Sequence, residues 1–213
     1  MSHYDDEAQV AELKQWWHEN WKALATGLLL GLGGIFGWQS WQGHEQRVAG
    51  DASQLYEDLK KAANDNKAEE AQEFAKKLFA AYSDTPYAAE AALRVAELDV
   101  KAGKYDDASG QLKWVLDHSS DDGLKHVARV RQARVLWQLG KPDEALKMLD
   151  VESTGGFEAL YQELRGDIKL VQGDRAGAAE AYKKAITAVG QSAGITELQQ
   201  KLDDLADVRA SAS

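Results

Sequence analysis

Phe157–Val189 reads FEALYQELRGDIKLVQGDRAGAAEAYKKAITAV, and this stretch decides the fold. Phe157, Leu160, Tyr161, Leu164, Ile168 and Val171 fall at i, i+3, i+4, i+7, i+11 and i+14, which places them on one face of an α-helix. Gln172-Gly173-Asp174 breaks that period, because glycine supplies the left-handed residue that ends a helix. A second apolar face follows: Ala178, Ala181, Tyr182, Ala185, Ile186 and Val189. The stretch is therefore two helices joined by a tight turn.

The turn recurs upstream. Gly103-Lys-Tyr-Asp-Asp-Ala108, Gly140-Lys-Pro-Asp-Glu-Ala145 and Gly173-Asp-Arg-Ala-Gly-Ala178 share one form, and Asn66-Lys-Ala-Glu-Glu-Ala71 is a weaker copy. Successive alanines lie 37, 37 and 33 residues apart. A helix–turn–helix period of about 34 residues is the tetratricopeptide pattern. Four residues after each alanine stand Ala75, Leu112, Leu149 and Tyr182. The small residue lets the two helices of a hairpin lie close, and the larger one fills the groove beside it. The glycine usual in the first helix is present as Gly166 and replaced by Ala96 and Ala133.

Helices are expected near 46–64, 67–82, 87–102, 105–117, 122–139, 142–150, 156–172, 175–189 and 194–208. None of these segments alternates with a period of two. The last one, carrying Ile195, Leu198, Leu202 and Leu205, has a polar opposite face and suits the cap such arrays require. The fold class is thus all-α: a solenoid of about four divergent tetratricopeptide-like hairpins with a C-terminal capping helix.

The N-terminal part reads differently. Trp21 to Trp41 is WKALATGLLLGLGGIFGWQSW, with no charge between Ala23 and Trp38. About 20 residues of helix span the hydrocarbon of a bilayer, and Trp21, Trp38 and Trp41 stand where indoles favour the headgroup level. A cleaved signal peptide fits poorly, since residues 1–22 are net acidic and no small-residue cleavage site follows the apolar stretch. The expected organisation is a tail (1–20), a transmembrane helix (21–41), a repeat domain (42–208) and a disordered tail (209–213), with the first tail cytoplasmic and the repeat domain translocated. Charge orients the span only weakly: Lys14 and Lys22 on one side face Arg47 and Lys60 on the other. Trp16 and Trp17 with Leu13 suggest an amphipathic segment at the membrane surface.

A net charge of −10 disfavours nucleic acid. With no cysteine there is neither disulfide nor thiolate metal site. His3, His18, His44, His118 and His126 form no metal-binding spacing, and no nucleophile elbow or phosphate loop occurs. Asp106-Asp107, Asp121-Asp122 and Asp203-Asp204 suit helix starts or exposed faces. No catalytic residue, cofactor or metal is expected.

Two candidate contact surfaces remain. Gly27 with Gly31, and Gly33 with Gly37, are small residues four apart, a spacing that lets a second membrane helix approach closely. Glycine is also common in any membrane helix. The first helices of the hairpins are expected to line a concave groove, with Arg94, Asp99, Arg129, Arg131, Gln132, Tyr161, Arg165 and Lys169 on or near it. Arg129, Arg131 and Arg134 could pair with a partner carboxylate or form a solvated face. Trp114 and Trp137 read as core, with a client surface as the other reading.

The run Glu12-Leu-Lys-Gln-Trp-Trp-His-Glu-Asn20, then Lys22-Ala-Leu-Ala25, the Gly-rich span ending in Gly37-Trp38, and repeats closing on Leu164-Arg-Gly-Asp167 and Gln172-Gly-Asp174 resemble the YfgM-type ancillary subunits of the bacterial SecYEG translocon. The resemblance covers nearly the whole chain. It implies an inner-membrane protein with a periplasmic repeat domain, partnered by SecYEG and by the membrane-anchored chaperone PpiD. It further implies a non-enzymatic chaperone or adaptor role toward unfolded, newly translocated proteins. A scaffold without client binding, and a cytoplasm-facing regulator, are the alternatives.

Overall fold

The computed structural model describes residues 3–190 and 194–211, with side chains described for 13–190 and 194–205. The chain divides into two compact units, residues 1–51 and 52–213. Helix α1 (His3–Asn64) supplies the described part of the first unit and, from Ala52, the first helix of the second. Tail, span and first repeat helix were expected as separate elements, yet no helix break divides them. Gly43 is the only weak helix former between Trp41 and Arg47, and a helix tolerates a lone glycine at about 1 kcal/mol.

In the first unit the described apolar side chains are open to solvent, apart from an edge-to-face contact of Trp38 on Trp41 at 5.4 Å between ring centroids. Leu28, Leu29, Leu30 and Phe36 are exposed, as are Trp16, Trp17, Trp21 and Trp38. One helix among the described residues is long and apolar enough to cross a membrane, and none of its apolar window is buried. Water is a poor solvent for so long an apolar face.

The second unit is a row of hairpins. After α1 come α2 (Ala68–Ala81), α3 (Pro86–Lys101), α4 (Tyr105–His118), α5 (Asp122–Gln138), α6 (Pro142–Met148), a 3₁₀ turn (Gly155–Phe157), α7 (Glu158–Val171), α8 (Arg175–Val189) and α9 (Ile195–Ser211). The pairs α3–α4, α5–α6 and α7–α8 are each one repeat, α9 packs on α8, and the end of α1 from Ala52 shares a core with α2 and α3 as the first repeat. No strand occurs among the described residues. Helix α9 reaches Ser211 rather than 208, entering the segment expected as a tail; residues 212 and 213 lie outside the described residues.

The turns are copies of one another at the level of hydrogen bonds. Gly103, Gly140 and Gly173 have φ of 72°, 74° and 84°, and Asn66 takes the same place with φ 59°. In each turn the following amide donates five residues back: Lys67 to Ala62, Lys104 to Asp99, Lys141 to Leu136 and Asp174 to Lys169, all at 2.8–2.9 Å. Those bonds satisfy carbonyls that a helix end leaves open. A Cβ in the left-handed region costs about 1–2 kcal/mol, least for asparagine. Gly140→Val is therefore expected to lower stability by at least that amount, whereas Asn66→Gly should change it little. Urea unfolding of the full chain in detergent checks both.

Ala71, Ala108, Ala145 and Ala178 are fully buried, as the motif demands, and so are Ala75, Leu112, Leu149 and Tyr182 four residues on. The closest approach is in the fourth repeat. A Cβ added to Gly166 would lie 2.6 Å from Tyr182 Cδ1, so only glycine lets the ring of α8 settle on α7. Trp114 joins the core: it packs on Phe79 at 4.7 Å between ring centroids and stacks on His118 at 4.6 Å. Trp137 packs, half-buried, on the cluster around Leu149, Leu164 and Ile168.

Candidate functional site

A groove opens where α3, the start of α4, and α5 meet. Its volume is about 450 Å³. Ala96, Val100, Leu112 and Val135 make an apolar floor, Tyr105 adds an aromatic edge, and Glu97, Lys101, Arg131, Arg134 and Gln138 form the rim. The repeat explains the position. Counted from each turn glycine, the same places in the fourth repeat are Asp167, Leu170, Arg175 and Tyr182. They line a second hollow, against α9. There the capping helix stands where a further repeat's first helix would lie, and Lys201 fills the space. Its ammonium donates to Glu163 at 2.6 Å and Asp167 at 3.0 Å.

The eight expected groove residues do not share one face. Arg131 lines the groove and donates through Nη1 to the Leu93 carbonyl at 3.2 Å. Arg94, its equivalent one repeat earlier, donates to Asn64 Oδ1 at 2.7 Å and Glu97 at 2.8 Å. Three others turn toward the preceding second helix instead, and Tyr161 turns toward α5. Asp99 is buried and accepts from Gln72 of α2 at 3.1 Å. Gln132 is buried and donates to Ser109 of α4 at 2.7 Å. Arg165 donates to the Leu149 carbonyl closing α6 at 2.9 Å, a favourable place for a cation. Tyr161 has no exposed surface, and its hydroxyl lies 2.9 Å from His126 Nδ1, whose ring stacks on Phe157.

With Arg165 and Lys169, Tyr161 borders a separate polar hollow of about 350 Å³ between the loop after α6, α7 and α8. Lys169 pairs with Asp174 at 3.2 Å, the residue that caps α8 by accepting from the Gly177 amide at 2.8 Å. Arg129 lines neither hollow. Arg134 does line the groove, beside Arg131 on α5. The shift of face has a simple cause: polar side chains at the edge of an apolar stripe can turn either way, and here neighbouring helices offered them partners.

Charge in the groove is uneven. Hydrogen bonding from Lys101, against some desolvation and with help from Arg94, holds the Glu97 carboxyl below its ordinary range. Glu97 thus neutralises Lys101 through a 2.7 Å ion pair, while Arg131 and Arg134 belong to no ion pair among the described residues.

At the cap, burial and the hydrogen bond to Asp167 push the Tyr182 hydroxyl well above its ordinary value. Burial would lower Lys201, but bonds to Glu163 and Asp167 outweigh it and raise the ammonium. Both groups hold protons more tightly folded than unfolded. Their contribution is present below the unfolded values of roughly 10 and is lost as pH rises beyond them. Helix α9 should therefore loosen above about pH 10, read as faster hydrogen exchange at Leu198 and Leu205 than in the α3–α5 core. Unchanged relative protection from pH 7 to 11 would contradict this.

Comparison with known proteins fits this architecture. A family model described as a tetratricopeptide repeat-like domain matches residues 14–207. A protein of Escherichia coli (strain K12) named "Ancillary SecYEG translocon subunit" is 35% identical over 206 residues, 96% of this chain and 99% of its own length. A protein of the same name from Haemophilus influenzae is 32% identical, covering 85% and 88%. Among solved structures, one titled "Crystal structure of MamA" superposes with a TM-score of 0.56 at 17% identity, over 71% of this chain and 84% of that one, and shows the fold alone. The chain belongs to the tetratricopeptide repeat-like family of ancillary SecYEG translocon subunits.

Proposed function

We propose that this chain is a single-pass inner-membrane subunit of the Sec translocon whose repeat domain, on the periplasmic side, holds newly translocated proteins. It acts without catalysis, as a chaperone or adaptor beside a second, PpiD-like membrane-anchored chaperone. The observation that carries this reading is the division of labour within one chain. One unit exposes an apolar helix with nothing of its own to pack on, and the other is an acidic helical array with an open groove. Anchoring the groove beside the exit of a channel gives a weak binder a high effective concentration of client.

On this reading the span is also the contact with the translocon, through Gly27, Gly31, Gly33 and Gly37. A side chain at any of these glycines would meet nothing within 4 Å among the described residues. Replacing Gly31 and Gly33 by leucine leaves the chain's own packing intact and changes only what can approach it in lipid. Affinity-tagged SecYEG is expected to recover the native chain and several-fold less of the Gly31→Leu/Gly33→Leu variant at equal expression. Failure to recover even the native chain would refute translocon association. Equal recovery of both would remove the glycines from the contact.

A further inference from the structure

We propose that the groove between α3, α4 and α5 takes extended polypeptide segments in which an apolar side chain is followed closely by aspartate or glutamate. This deepens the client-handling reading and rests on it. Ala96 and Val135 of the floor are buried, as is Leu112 beneath them, so the open apolar surface is carried by Val100 and by the edge of half-buried Tyr105. Val100 is 38% exposed although it lies mid-floor, so an incoming methyl or ring has surface to cover. The acidic partner follows from charge. In a chain of net charge −10, the guanidiniums of Arg131 and Arg134 stand three residues apart on α5 at the lip of this floor. The one nearby rim acid, Glu97, is already committed to Arg94 and Lys101. Arg131 spends a single N–H on the Leu93 carbonyl, which satisfies a donor without neutralising the charge. A carboxylate next to a seated apolar side chain meets donors that nothing else in the groove answers.

The test titrates the full chain in detergent micelles with fluorescein-labelled peptides of equal length carrying Leu-Asp, Leu-Asn or Ala-Asp at the centre. Anisotropy should rank Leu-Asp tightest. Losing either the leucine or the carboxylate should weaken binding about threefold to tenfold. Arg131→Gln and Arg134→Gln should each bring Leu-Asp close to Leu-Asn, while Lys183→Gln, an exposed change on α8, should not. Circular dichroism of each variant must match the native chain. Equal binding of Leu-Asp and Leu-Asn, or indifference to both arginine variants, overturns the proposal. So does binding of soluble glycerol phosphate, lost in both arginine variants, with no binding of any peptide, which would make the groove a headgroup site. If no peptide binds while tagged SecYEG still recovers the chain, this inference falls and the proposed function stands. If SecYEG does not recover the chain, the proposed function falls and the titrations still decide the groove.

Discussion

Gly166→Ala is expected to destabilise the chain, although the same change in an ordinary helix interior stabilises by roughly 0.5–1 kcal/mol. The new Cβ would overlap the Tyr182 ring, whose nearest atoms already lie where the methyl must go. That ring has little freedom to retreat. Its hydroxyl donates to Asp167 at 2.8 Å, Lys201 lies 5.8 Å from its centroid, and its surface is 1% exposed. Overpacking of this kind costs about 1–3 kcal/mol. Tyr182→Ala should cost more, about 3–5 kcal/mol, since a large buried aromatic is removed and Asp167 loses a donor. In the Tyr182→Ala background, however, Gly166→Ala should reverse sign and become neutral or stabilising. A double-mutant cycle by urea unfolding reads this directly. Additive costs would show that the two residues do not press on each other.

Placing arginine at both Leu29 and Leu30 is expected to remove the chain from the membrane. Each arginine near the middle of a span disfavours insertion by about 2.5–3.5 kcal/mol. Two such charges shift the balance by roughly 10⁴-fold. Leu29 and Leu30 are 71% and 73% exposed, so the substitutions disturb no packing within the chain. Val171 is a matched control: it is 70% exposed, apolar and in the repeat array. Carbonate extraction should find Val171→Arg with the membranes and the double-arginine variant in the soluble or degraded fraction. Retention of both in the membrane pellet would contradict the reading of this helix as the anchor.

Most of the repeat architecture was legible before any coordinates. Turn glycines announce themselves, because few other residues tolerate positive φ, and even the weak first copy was readable since Asn66 is the next best choice. The helix-packing alanines, fixed in spacing and small by necessity, were equally visible. What escaped the sequence depends on neighbours far along the chain. Asp99, Gln132 and Arg165 sit at the margins of apolar stripes. Their direction was settled by Gln72, Ser109 and the Leu149 carbonyl, partners 27, 23 and 16 residues away. Arg134 stood out in the sequence only as one of three neighbouring arginines on α5, and Val100, which completes the groove, carries no local signal that distinguishes it from any solvated valine. The continuity of α1 was hidden for the opposite reason. A change of solvent from lipid to water alters composition without altering helical backbone, so a composition boundary resembled a structural one.

The claim on which the functional account turns is that the repeat domain lies on the far side of the membrane from the N-terminus. The chain has no cysteine, so single thiols report without background. Ser2→Cys and Asp121→Cys, in separate cells with only the outer membrane permeabilised, would be exposed to a membrane-impermeant maleimide. Asp121 is exposed at the start of α5, and its thiol should label at once, whereas the thiol at position 2 should require full lysis. Labelling of position 2 in intact cells, with position 121 protected until lysis, would place the repeats in the cytosol and contradict the account.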